Sequence, residues 1–199
     1  MAAATRVHLL DLGPPSVLVQ PVSETEPMII LRSERLALRP FTDGDLEAVL
    51  AIHQHEGLRQ FVPSAVLDNL AAVPERLDRY RSYDTHPVHG MVAIERVADG
   101  EVVGMILLKP IPPSAGLNLE DVEIGWRGHP AHGRHGYITE AAQAVLDHAL
   151  RSGLARVVAV TDADNHGSQA VCRRLGMADR GATGDYYDQT LRLFVADGI

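Results

Sequence analysis

A chain of 199 residues that is 46% hydrophobic and 22% charged has the composition of a folded α/β domain, long enough to bury a core without staples. Its net charge of -8 opposes binding to phosphate backbones and anionic lipid, so no nucleic-acid or membrane partner is expected, and a cationic substrate such as an amine is mildly favoured. The single Cys172 excludes an internal disulfide, and no apolar run approaches the roughly 20 residues of a membrane span.

Residues 1–27 are punctuated by Gly13, Pro14, Pro15, Pro21 and Pro27. They read as a partly ordered N-terminal extension in which residues 16–20 form a short strand at most. They also make a poor signal peptide, so a cytoplasmic protein is expected. The domain proper is expected over residues 28–199. Residues 36–40 alternate and stop at Pro40, which predicts a strand. Thr42 or Asp43 can cap a helix carrying Leu46, Val49, Leu50 and His53 at helical spacing. A second helical pattern runs from Val66 to Tyr80, broken or kinked at Pro74.

Strands are expected over residues 91–97 and 102–109, joined by the hairpin signal Asp99-Gly100. A third covers residues 119–126. A Gly- and His-rich loop, 127–136, precedes a long amphipathic helix, 137–151, with Ala141, Ala144, Val145, His148 and Ala149 inward and Gly153 as its stop. Residues 156–161 form a valine-rich buried strand. A short helix over 168–175 lies between the caps Asn165 and Gly176, and a last strand covers 190–195. This order predicts an α/β fold of the α+β kind: a mixed sheet with helices on both faces.

The chemistry concentrates where a strand, a glycine-bearing loop and a helix follow each other. First-turn amides lack partners inside a helix, and the helix dipole adds positive charge there, so such a junction is an anion site. Gly136 permits close approach, and Arg134, His132 and His135 add donors. His129, His132 and His135 have no carboxylate or thiol beside them in sequence, so no metal is expected. Neither a P-loop nor a Rossmann fingerprint is present.

Four ordered segments carry a resemblance. They are 33–40 (SERLALRP), 100–104 (GEVVG), 122–126 (VEIGW) followed by Pro130 and 136–141 (GYITEA), and 165–168 (NHGS) with 175–177 (LGM). Together they resemble the GNAT superfamily of N-acetyltransferases, in particular the branch that acetylates ribosomal-protein N-termini. The resemblance implies a mostly antiparallel central sheet, acetyl-coenzyme A as cosubstrate, and direct transfer to a primary amine in a ternary complex. It implies cofactor contacts at Trp126, Arg127, Gly128, Gly133, Arg134, His135, Gly136, Tyr137 and Asn165. Glu123 is the candidate base and Ser168 the candidate proton donor to the leaving sulfur, with Tyr186 and Tyr187 as further acids. In one place the sequence departs from the pattern. The family has glycine two positions before Gly136, where this chain has Arg134, a residue that resists positive φ.

Each assignment has a plainer reading. Glu123 could simply pair with a cation on the next strand, Asn165 could be only a helix cap, and Ser168 an ordinary first-turn serine. Cys172 reads as a small buried hydrophobe. His53 and His148 read as core or rim residues and Glu140 as a complement to the helix dipole. A non-catalytic acyl-coenzyme A sensor or scaffold is the alternative function. Homodimerisation is common in the family and has no local signature here.

Overall fold

The computed structural model describes residues 30–198, so the expectations for residues 1–27 lie outside the described residues. Eight strands form one sheet: β1 (Leu31–Arg32), β2 (Leu36–Arg39), β3 (Gly90–Arg96), β4 (Val102–Pro110), β5 (Val122–Gly128), β6 (Arg156–Thr161), β7 (Ala178–Thr183) and β8 (Leu191–Asp197). Their spatial order is β1-β2-β3-β4-β5-β6-β8-β7. All neighbours are antiparallel except β5 and β6.

Helices cover both faces, as the alternation of the strands requires. Val92, Ile94, Ile106, Leu108 and Ile124 point to one face and meet α4 (Tyr137–Arg151) and α5 (His166–Arg174). Met91, Ala93, Met105 and Leu107 point to the other and meet α1 (Leu46–Gln54) and α3 (Val73–Arg81). The α4 and β6 bounds agree with those expected. The inner face of α4 is broader than expected, with Ala142 and Leu146 buried and Ala144 and His148 only half-buried.

The expected helix across Val66–Tyr80 needs correction. Helix α3 begins only at Val73, with Pro74 in its first turn, where a missing N–H breaks no helical bond. Leu67 is buried from an irregular segment instead. A short α2 (Glu56–Phe61) and the edge strands β1 and β7 add to the elements anticipated. The third strand begins later than expected, at Val122, and runs on to Gly128.

Two features fix the frame around the site. Arg39 and Asp45, 5% and 6% exposed, form a two-pronged ion pair with Nη1–Oδ2 at 2.8 Å and Nη2–Oδ1 at 2.9 Å. Arg39 Nε also donates to Glu95, and Asp45 accepts from the Thr42 amide at 2.7 Å. The cluster thus ties β2 and β3 to the entry of α1. Close packing of α4 rests on Gly104. A Cβ there would lie 2.7 Å from the Arg127 carbonyl oxygen and 2.9 Å from Ile138 Cδ1.

Candidate active site

Strands β5 and β6 pair only at Val122↔Val157 and Glu123↔Val158. β6 then follows β8 while β5 stays on β4, so the two diverge. The β5 backbone over residues 124–128 therefore has no strand partner on the β6 side. This gap opens into a cavity of about 1190 Å³ that reaches both faces of the sheet.

On the α4 side, Gly136 (φ 79°) is the helix N-cap and supplies no side-chain acceptor to the first-turn amides. Those amides are free to meet an anion. Arg134 takes the left-handed conformation itself, at φ 67°, while Gly133 stays extended at φ -65°, ψ 157°. The arginine thus adopts the backbone conformation it was expected to resist. Replacing Arg134 with glycine should relieve that strain and raise unfolding stability by about 0.5–1 kcal/mol, read by denaturant melts. Residues 133–136 are exposed, and Ile138, in the first turn of α4, lines the cavity.

Arg35, absent from the expected site residues, braces this loop. Its Nη1 donates to the His135 carbonyl at 3.1 Å, and its guanidinium lies 4.9 Å from the Tyr137 ring centre. Its Nε bonds Glu140 at 2.7 Å, and Ser33 Oγ bonds the other carboxylate oxygen at 2.6 Å. Glu140 is accordingly structural, its acidity raised because these bonds outweigh the opposing effect of burial. The signal for Arg35 was its place in the opening strand segment.

At the far side of the gap, Asn165 caps α5, accepting from the Ser168 amide at 3.0 Å. The Ser168 hydroxyl has no protein hydrogen bond among the described residues, and Ser168 lines the cavity. The buried Thr161 hydroxyl at the end of β6 also lines it and lacks a partner among the described residues. Cys172 is fully buried, and burial pushes its thiol up to about 12, so it is a hydrophobe rather than a nucleophile.

The α1/α3 side holds the candidate acid–base groups. Glu123, 9% exposed, sits opposite Lys109 in the β4–β5 register. Its Oε2 accepts from Lys109 Nζ at 3.1 Å and from Tyr187 Oη at 2.5 Å. Its Oε1 makes no protein hydrogen bond among the described residues. Tyr187 reaches Glu123 because it and Asp188 are both left-handed, at φ 61° and 54°. Burial first, then the Glu123 charge, hold its phenol protonated. Tyr186 points elsewhere, bonding Asp121 from a buried cluster with Ile111 and Val158.

Arg127 alternates with Trp126 and so faces this same side. Its Nη1 donates to His53 Nε2 at 2.7 Å and to Tyr80 Oη at 3.2 Å. His53, with no exposed surface, meets the Val49 carbonyl through Nδ1 at 2.7 Å, which fixes the Nδ1–H tautomer and makes Nε2 the acceptor. Tyr80 Oη lies 2.6 Å from the same nitrogen and shares its one lone pair with Arg127. Burial, then the Arg127 charge, push His53 down to about 3. The unfolded chain therefore binds a proton below pH 6.5 that the folded chain refuses. Stability should fall by about 1.4 kcal/mol per pH unit from this residue alone as pH drops from about 6 to 4. Melts of His53→Phe, which carries no proton, should show that slope removed.

No group of three or more His, Cys, Asp or Glu side chains fit to hold a metal occurs among the described residues. His129 caps the Pro130–His132 turn and His132 pairs with Glu101 at 3.0 Å. No helix among them is long and apolar enough to cross a membrane.

Residues 35–178 match the acetyltransferase (GNAT) domain family. Two Bacillus subtilis (strain 168) proteins described as uncharacterized N-acetyltransferases are similar. YoaA is 26% identical over 164 residues, 80% of this chain and 89% of the relative. YnaD is 37% identical over 153 residues, 76% and 84%. The fold is similar to RimL, a ribosomal L7/L12 alpha-N-protein acetyltransferase solved in complex with coenzyme A, with TM-score 0.68, 21% identity, and 86% of this chain and 98% of that one covered. It is also similar to Mycobacterium smegmatis RimJ in complex with CoA-disulfide, with TM-score 0.66, 22% identity and 81% of each chain covered. The chain belongs to the GNAT acetyltransferase family and is an acyltransferase.

Proposed function

We propose that this protein transfers acetyl from acetyl-coenzyme A directly to a primary amine, with both substrates bound together. The observation that carries the reading is the unpaired β5 edge. It opens on a cavity that joins the uncapped start of α4 to Glu123 and Tyr187. Coenzyme A would supply the acetyl group as a thioester. The residues fit it: free amides at Tyr137 and Ile138 suit a pyrophosphate, with Arg134 and His135 as exposed donors. Residues 126–128 can pair with an extended pantetheine arm as an added strand would, and their amides can stabilise charge developing on the thioester oxygen. Asn165 and the unsatisfied Thr161 hydroxyl line the arm's other side.

Glu123 Oε1 takes the proton from the incoming ammonium, directly or through water. Lys109 and Tyr187 hold the carboxylate by its other oxygen. Tyr187 or Ser168 can return a proton to the departing sulfur. The acceptor is a protein N-terminus or a small-molecule amine. A non-catalytic acyl-coenzyme A sensor is the alternative against which this reading is tested.

The test is release of coenzyme A thiol from acetyl-coenzyme A, with and without a panel of amines and short N-terminal peptides. Amine-dependent release supports the transferase. Tight coenzyme A binding with no release for any amine would favour the sensor. Absence of coenzyme A binding would overturn the assignment of the 133–137 loop.

A further inference from the structure

We propose that the acceptor amine carries a carboxylate of its own, which the Arg127 guanidinium binds; this rests on the acetyltransferase reading above. Arg127 is half-buried and lines the cavity. Its three hydrogen-bond partners among the described residues are His53, Tyr80 and the Met105 sulfur at 4.0 Å, all uncharged and all met by Nη1 alone. The lone pair of His53 is turned to the arginine, and burial opposes protonation there. Among the described residues no carboxylate comes within ion-pair distance of Arg127, and its Nε and Nη2 make no hydrogen bond to the protein. A guanidinium has five donors in a rigid fork, and a partly desolvated cation without a counter-ion is unfavourable. The protein thus orients this fork with neutral groups and leaves its bidentate side to something else.

The rest of the wall agrees. Arg76 and Arg79 of α3 line the same cavity and have no ion-pair partner among the described residues. The facing acid is Glu123, whose Oε2 is already held by Lys109 and Tyr187. The other acids of the lining, Asp162 and Asp164, lie at the α5 end. A protein with net charge -8 therefore presents cations on this wall of the acceptor half. Coenzyme A phosphates do not account for Arg127. They are read at the α4 N-terminus, on the face to which Trp126 points, and Arg127 points to the other.

Glu123 and Arg127 stand four residues apart on one face of β5, about 13 Å between Cα atoms. Both side chains line the same wall of the cavity, which puts the acceptor's amine toward Glu123 and its carboxylate toward Arg127. Such a pair of reading groups selects acceptors by charge as well as by nucleophilicity.

The experiment uses the coenzyme A-saturated full chain and calorimetry with a panel of N-acetyl-L-amino acids and their carboxamides, which need no turnover. At least one acid should bind roughly 10- to 100-fold more tightly than its carboxamide. In coenzyme A-saturated Arg127→Gln that preference should collapse to about twofold or less, and Arg127→Lys should restore part of it. Equal binding of every acid and its carboxamide in the wild-type protein overturns the proposal, as does a preference that survives Arg127→Gln. A wild-type chain that fails to bind coenzyme A at all would instead sink the acetyltransferase reading, so the two failures are distinguishable.

Discussion

Glu123→Gln is expected to lower kcat/KM for amine acetylation by about 100- to 10,000-fold, the range for losing a positioned general base. The substitution keeps the shape of the side chain and an oxygen able to accept from Lys109 and Tyr187, whose bonds hold the residue in place. Fold and coenzyme A affinity should therefore be unchanged, and the loss should fall on the step that needs proton removal. In the variant the rate should still climb with pH toward the pKa of the amine itself, because the amine must then lose its proton to solvent. Full turnover in Glu123→Gln, with the wild-type pH profile, would return Glu123 to the role of a simple partner for Lys109. Tyr187→Phe would separate the remaining functions: a loss confined to acyl donors with poor leaving groups would mark the phenol as the acid.

The second large effect is on stability. Asp45→Asn should cost about 3 kcal/mol, because it leaves Arg39 buried with half of its counter-charge. For a chain of this length that is a fall in Tm of roughly 6–12 °C. Burial alone would raise the Asp45 pKa, but the Arg39 hydrogen bonds, the Thr42 amide and the Arg39 charge outweigh it and hold the carboxyl below its usual value of 3.8. A depressed carboxylate contributes stability that is complete above the unfolded pKa and is lost as pH falls through the folded one. The gap between wild type and variant should therefore be constant above about pH 5 and close progressively below 3.8. A small gap, or one that does not change with pH, would show that Glu95 alone suffices for Arg39.

Helix α4 and strand β6 were legible because their signals are local. The first has apolar spacing between Gly136 and Gly153, and the second is a valine run bounded by polar residues. Strand β7 was not legible because it has no pattern to read. All six of its residues are exposed or half-buried, and it carries charge and a glycine, as protected edge strands do. The helix expected from Val66 failed for a different reason. Apolar residues at helical spacing fill the core equally well from irregular turns, and the decisive cue was Pro74 at a helix start rather than in a helix middle.

At the site, the loop proposed to hold an anion was marked by its glycine and donors, but not that Arg134 would take the left-handed conformation. The Lys109 and Tyr187 partners of Glu123 depend on strand register and on two successive left-handed residues, neither of which a single sequence displays. Arg127 was assigned to the cofactor through its backbone. The role of its side chain is set by the alternation of β5 relative to α1 and α3, which requires knowing what covers each face. His53, expected at a core or rim position, is core, and its polar bonds hold Arg127.

Strand β5 separates two selective pressures in one segment. Trp126 faces the α4 side, while Glu123, Gly125 and Arg127 face the α1/α3 side, where the acceptor is proposed to bind. A lineage can therefore explore new amines by changing alternate positions without disturbing the contacts that hold a common acyl donor. Drift at the intervening positions would instead damage every member alike. Paralogues that share this backbone should accordingly diverge in a comb, every second residue of one strand carrying the difference in diet.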